Sequence, residues 1–103
     1  MIRCVDVETT GLDPETDAII EIASVDMVKG GGITNAMQTF VNPERSIPPS
    51  ASAVHHILDQ DVAGAPGLAD AIEMFKGADA YVSHNAAFEQ KFLLKHLPNV
   101  PWI

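Results

Sequence analysis

Three stretches rich in β-branched and other apolar residues fill the first half of the chain, and the links between them are too short to carry the backbone across a sheet. IRCVDVE at 2–8, AIIEIASVDMV at 18–28 and TNAMQTFVNP at 34–43 read as strands. The first link, TTGLDPETD, contains Gly11 and the Asp13-Pro14 pair, and the second closes on Gly30, Gly31 and Gly32, all of which are turn chemistry. Strands joined this way pair antiparallel, because a parallel neighbour needs a crossover of roughly a dozen residues or more. Residues 2–43 are therefore expected to form a three-stranded antiparallel meander.

The second half of the chain changes period. SIPPSASAVHHI sets Pro48 and Pro49 at a helix start, with Ala51, Val54 and Ile57 toward one side. A short acidic turn follows around Asp59 and Asp61. Leu68, Ala71, Ile72 and Phe75 then recur at the spacing of one helical face, and Gly77 ends that helix. DAYVS reads as a short strand, and NAAFEQKFLLKHL as a helix with Phe88 and Phe92 on one side, stopped by Pro98. The order is an α/β one: a meander, then a strand added in parallel, with flanking helices. LPNVPWI leaves the last helix for what reads as the start of another strand. A sheet of this kind needs further strands and helices to bury both faces, so the expectation is one domain truncated on its C-terminal side.

Composition narrows the classes. The chain has 103 residues, 47% of them apolar and 19% charged, inside the globular range. No apolar run is long enough for a membrane span, and MIRCVDVE lacks the basic start and long apolar stretch of a signal peptide; the expected compartment is the cytoplasm. Cys4 is the single cysteine, which excludes an intramolecular disulfide and a sulfur-rich zinc site and leaves it the role of a small buried hydrophobe. Six basic against fourteen acidic residues give a formal charge of −8. That excludes a nucleic-acid module working through a broad basic patch. It leaves room for a metal-dependent nuclease, where divalent ions reverse the local charge.

Two constellations carry chemistry. Asp6 and Glu8 point to the same face of the first strand, where like charges repel and no basic residue accompanies them. The candidate counter-charge is a hard cation such as Mg²⁺ or Mn²⁺, which takes oxygen ligands, and Gly11 lets backbone come close to a ligand. A solvated acidic strand end competes with that reading, and the pair alone does not separate the two. The second constellation is SHNAAFEQKFL at 83–93, which puts His84 and Asn85 at a strand-to-helix junction, where α/β folds place ligands. By helical spacing alone Glu89 reads as an exposed acid with no basic partner four residues away. His84 by itself reads as a structural histidine, Lys91 and Lys95 as solvated side chains, and His96 as a surface residue.

Taken together, these stretches resemble the motifs of the DEDDh-type 3′ to 5′ exonucleases, a family that includes the proofreading subunit of bacterial replicative DNA polymerase. DVETTGLD resembles the first motif. HNAAFEQKFL resembles the second, with Glu89 where the family usually carries aspartate, and SIPPSASAVHHI resembles the connecting segment. The resemblance spans nearly the whole chain. It implies an RNase H-like fold and hydrolysis of nucleic acid from the 3′ end to nucleoside 5′-monophosphates. It implies a catalytic set of Asp6, Glu8 and Glu89 holding two Mg²⁺ or Mn²⁺ ions. It further implies that Thr9, Thr10, Gly11, Leu12, Ala51, Val54, His55, Asn85 and Phe88 bind substrate, with His84 in support. Glu89 keeps the carboxylate but is one methylene longer, which shifts its reach.

The family's third motif, a general-base histidine followed by a fourth carboxylate, is expected beyond residue 103; by sequence order none of His55, His56, His84 or His96 stands in for it. Residues 1–103 are thus expected to be part of an exonuclease domain, weakly active or inactive alone. The expected partner is a nucleic acid 3′ end, single-stranded and DNA rather than RNA, with any polymerase or repair partner unidentified and no membrane partner. The alternative is a catalytically inactive RNase H-like module that binds nucleic acid or protein.

Overall fold

A computed structural model describes residues 1–84, 86–93, 96, 97 and 101–103. The meander is as expected: β1 (Ile2–Thr9), β2 (Ile19–Met27) and β3 (Ile33–Phe40) pair antiparallel in sequence order. Gly30 and Gly31 take φ of +98° and +89° in the β2–β3 turn, a conformation that costs a glycine nothing. β4 (Ala80–Val82) lies parallel to the start of β1, so the sheet order is β3-β2-β1-β4. Beyond β4, Tyr81 donates its N–H to the Pro101 carbonyl and accepts from the Ile103 N–H, both at 2.9 Å, and Trp102 bridges to it in parallel. Of the strand expected to begin in LPNVPWI, the described residues 101–103 make this single bridge to β4.

β1 alternates cleanly. Arg3, Val5 and Val7 are buried, whereas Ile2, Cys4 and Glu8 are half-buried and Asp6 is exposed. The buried positions of β1 are the odd-numbered ones, so Asp6 and Glu8 lie on its open side. Cys4 shares the open side and is half-buried rather than buried. Val5 and Val7 pack with Ile22, Tyr81, Ala71, Ile72, Phe75, Phe92 and Leu93 in the main core. Arg3 lies directly opposite Asp26 across the β1–β2 pair. It holds that carboxylate through Nε at 2.7 Å and Nη2 at 3.0 Å, and its Nη1 donates to the Phe75 carbonyl at 2.9 Å. Asn35, with φ +53° beside a bulge in the β2–β3 pairing, adds a 2.8 Å hydrogen bond to Asp26.

Between β3 and β4 run α1 (Pro49–His55), α2 (Asp59–Val62), α3 (Leu68–Ala71) and a 3-10 turn at Ile72–Phe75. The acidic turn foreseen at Asp59 and Asp61 is the short helix α2, begun by the Asp61 carboxylate accepting the Leu58 N–H at 2.8 Å. The single helix foreseen through Phe75 tightens into 3-10 geometry after Ala71. Its last carbonyl, on Phe75, is taken by Arg3 and by the Tyr81 hydroxyl at 2.6 Å, the sort of capping that closes a helix end. A register shift after Glu8 lets Ile19 join the main core while Ile20 joins a second cluster with Ile47, Ile57 and Val62. Ala51 of α1 packs on that second cluster, which seats α1 beside the end of β1. α4 (Ala86–Leu93) follows β4, with the Phe88 and Phe92 rings 5.0 Å apart. No helix among the described residues is long and apolar enough to cross a membrane.

Candidate active site

The end of β1 runs into a loop folded around one carboxylate. Thr10 donates its Oγ1 to Asp17 Oδ1 at 3.0 Å and accepts from the Ala18 N–H at 3.0 Å and from Arg45 Nη2 at 2.9 Å. The Asp17 carboxylate also takes the Asp13 N–H at 3.0 Å. A Cβ on Gly11 would collide with this carboxylate, so residue 11 is glycine because Asp17 occupies its side-chain space. Thr9 Oγ1 bonds the Gly11 carbonyl at 2.5 Å. These bonds hold Leu12 out in solvent at 85% exposure.

α1 supplies the facing wall. Pro48 is extended at φ −61°, ψ 142° before Pro49 opens the helix, and His56 closes it at φ +63°. His55 accepts the Ile57 N–H at Nδ1, 3.1 Å, which leaves Nε2 to donate to the Thr9 carbonyl at 3.2 Å. Both ring nitrogens are thus engaged in tying α1 to β1. Val54, 77% exposed, projects from α1 without burying itself.

Between these walls lies a cleft of about 410 Å³ lined by Glu8, Thr9, Thr10, Gly11, Leu12, Ser50, Ala51, Val54, His55 and Phe88, a volume suited to a small ligand. Every expected substrate-binding residue lines it except two. His84 is exposed and is not among the lining residues, and Asn85 lies outside the described residues. Ser50 is an addition that the sequence reading missed; its signal was its place in the first turn of a helix whose next residue, Ala51, was already in the set.

The carboxylates are the electrostatically adverse part. Glu89 reaches from α4 to the neighbourhood of Asp6, close enough for that carboxylate to act on it as a like charge. It is only 4% exposed, and its Oε2 is buried without a hydrogen-bond partner. The reading of Glu89 as a solvated helical acid is therefore corrected. Burial, and then the adjacent Asp6 carboxylate, push the Glu89 pKa up, while the nearby Ser83 hydroxyl pulls weakly the other way without completing a well-formed hydrogen bond. Glu8 is raised too, first by burial and then by Asp6, with Glu21 opposite it on β2 adding to the effect and His55 opposing it. Among the described residues no three acids, histidines or cysteines come together as a closed ligand set. What exists is a buried Glu89 beside an exposed Asp6, with Glu8 half-buried on the same strand. The donor set still suits a hard divalent cation: all the atoms are carboxylate oxygens, and one of them is buried and unpaired.

The chain belongs to the exonuclease family, whose model matches residues 4–100. It is 42% identical over 105 residues to exodeoxyribonuclease 10 of Escherichia coli K12, covering 100% of this chain and 44% of that protein. It is also 42% identical over 91 residues to the PolC-type DNA polymerase III of Bacillus subtilis, covering 85% of this chain and 6% of that one. A solved structure of exonuclease X in complex with 5′ overhanging duplex DNA superposes with a TM-score of 0.84 over 100% of this chain and 58% of the other, at 42% identity. The mixed sheet is that of the RNase H-like exonucleases. The chain thus spans less than half the length of exodeoxyribonuclease 10.

Proposed function

We propose that this chain is the first-and-second-motif part of a 3′ to 5′ exonuclease that shortens single-stranded DNA and releases nucleoside 5′-monophosphates. The observation that carries the reading is the convergence of Glu89, from a helix late in the chain, on Asp6 of the first strand, with Glu89 Oε2 buried and unpaired. A fold that meets no such need would have left Glu89 in solvent or given it a cationic neighbour.

In this reading Asp6, Glu8 and Glu89 hold two divalent ions, Mg²⁺ or Mn²⁺. Bound there, such ions supply an activated water and neutralise charge on the leaving oxygen. The rest falls to the chain's own residues. Leu12, Val54 and Phe88 present apolar surface to the terminal base, contacts that accept any base and so make cutting independent of sequence. Thr9, Thr10, Ser50 and Ala51 surround the sugar end of the cleft. His55 serves as a brace rather than a base, since both of its ring nitrogens are engaged. His56 and His84 are outside the cleft lining, and His96 lines a different cleft with Phe92 and Asp17. The general base and a fourth carboxylate therefore come from residues outside 1–103, which agrees with the 44% coverage of exodeoxyribonuclease 10. Polymerase III relatives make association with a polymerase a natural setting for such an enzyme.

The absence of a closed three-ligand set among the described residues favours a second reading, a module of the same fold that holds DNA without cutting. A 5′-labelled single-stranded oligonucleotide with Mn²⁺ separates the two. A chain extended to the length of its relatives is expected to yield a ladder of 3′-shortened products, with the 103-residue chain slower by about 10²- to 10⁴-fold for want of a general base. No ladder from the extended chain would leave the binding module as the function.

A further inference from the structure

Six basic residues face fourteen acidic ones in this chain, so the few positions where positive charge stands uncommitted decide how it can hold a polyanion. Among the described residues Arg3 is buried against Asp26, Arg45 is tied to Thr10 and Asp17, and Lys76 pairs with Glu73 at 2.7 Å. Lys91 differs. It is exposed on α4, one turn after Phe88, and makes no ion pair among the described residues. It lines a shallow cleft of about 260 Å³ with Pro14, Ala87 and Phe92, and that cleft shares Leu12 and Phe88 with the larger one. Leu12 and Phe88 therefore form an apolar ridge with the Glu8 carboxylate on one side and the Lys91 ammonium on the other.

We propose that Lys91 contacts the phosphodiester on the 5′ side of the terminal nucleotide, where the strand leaves the larger cleft over this ridge. The proposal rests on the exonuclease reading above. A nucleotide seated against Glu8 and His55 with its base on Leu12 and Phe88 has one direction for the strand to leave along this ridge, into the smaller cleft. An ammonium on a flexible stem suits a phosphate whose position changes as the strand advances. It also carries no base information, as a sequence-independent enzyme requires. A strongly acidic protein would then grip single-stranded DNA through an apolar ridge and one cation, in place of a basic surface.

The test is equilibrium binding of a fluorescein-labelled oligothymidylate in Ca²⁺ buffer across added salt, for wild type, Lys91→Gln and the remote control Lys29→Gln. Each phosphate contact contributes about −0.7 to the slope of log affinity against log salt for a single strand. Lys91→Gln is expected to flatten the slope by about that amount, so that wild type loses about 2- to 3-fold more affinity than the variant between roughly 50 and 200 mM salt. Lys29→Gln is expected to change nothing, and thymidine 5′-monophosphate, which fills only the larger cleft, is expected to bind Lys91→Gln as it binds wild type. An unaltered slope in Lys91→Gln, or equal weakening of the mononucleotide, would overturn the Lys91 contact alone. A wild-type chain that binds neither probe would overturn the exonuclease reading and this contact with it.

Discussion

Strand β1 carries two carboxylate environments that differ in one respect. On its buried side, Asp26 of β2 meets Arg3 and Asn35, and the guanidinium beside it holds its carboxyl below the usual range. At its open side, Asp6 meets Glu89, and burial plus the like charge hold the Glu89 carboxyl above the usual range. Both arrangements take a carboxylate out of water, Asp26 in the first and Glu89 in the second. The fold supplies the counter-charge in the first case and withholds it in the second. A chain that builds the Arg3–Asp26 pair can place a cation beside a buried acid, and no ion pair is formed with Asp6 or Glu89 among the described residues; the proposed divalent ions would account for that difference.

The sharpest way to break this comparison is to make the same change on both sides. Asp26→Asn strands the buried Arg3 guanidinium and is expected to lower stability by about 3–5 kcal/mol, whereas Asp6→Asn is expected to leave the metal-free protein as stable or more so; urea unfolding measures both. If Asp6→Asn proved as damaging as Asp26→Asn, the two sides would be equivalent structural sites. Next in size is the response to a divalent ion. Mn²⁺ at about a hundred times its dissociation constant should stabilise the wild type by about 2.7 kcal/mol, and this gain should vanish in Glu89→Gln and persist in Asp26→Asn, as read by thermal unfolding.

The smallest effect is on pH. Asp26 is depressed, so its contribution is complete above the ordinary aspartate value of about 3.9 and is lost as pH falls through its own lower pKa. Glu89 and Glu8 are raised, so without metal they erode stability as pH rises from about 4.3 through their elevated values. Stability of the metal-free protein should therefore decline gently between mildly acidic and neutral pH. Asp6→Asn should flatten that decline and Asp26→Asn should not, which a pH series of unfolding midpoints would reveal.

The meander was legible because β-branched runs and short turns restrict strand pairing to one solution, and the cleft wall was legible through the family likeness of residues 6–13 and 46–57. Glu89 was harder. Its neighbours on α4 predict an exposed acid, and only the parallel placement of β4 beside β1 brings that helix to Asp6, a fact of tertiary structure that helical spacing does not carry. Ser50 escaped notice, and Lys91 was read only as a solvated side chain, for a related reason: each is an ordinary surface residue until two distant segments make a cleft around it. Asp17 and Arg45 brace the loop through Thr10, and nothing in their sequence positions reveals that partnership. The alternation in β1 was read correctly, but which face would be buried depended on whether Arg3 could find Asp26.

The parallel pairing of β1 with β4 has a consequence for how the protein comes into being. Hairpins β1–β2 and β2–β3 close over short stretches, but joining residue 2 to residue 80 closes nearly the whole chain into a loop, a slow and entropically unfavourable step. Glu89 cannot meet Asp6 until that step is done. The carboxylates of β1 and α4 are therefore brought together only by a long-range closure, later than the hairpins that the meander needs.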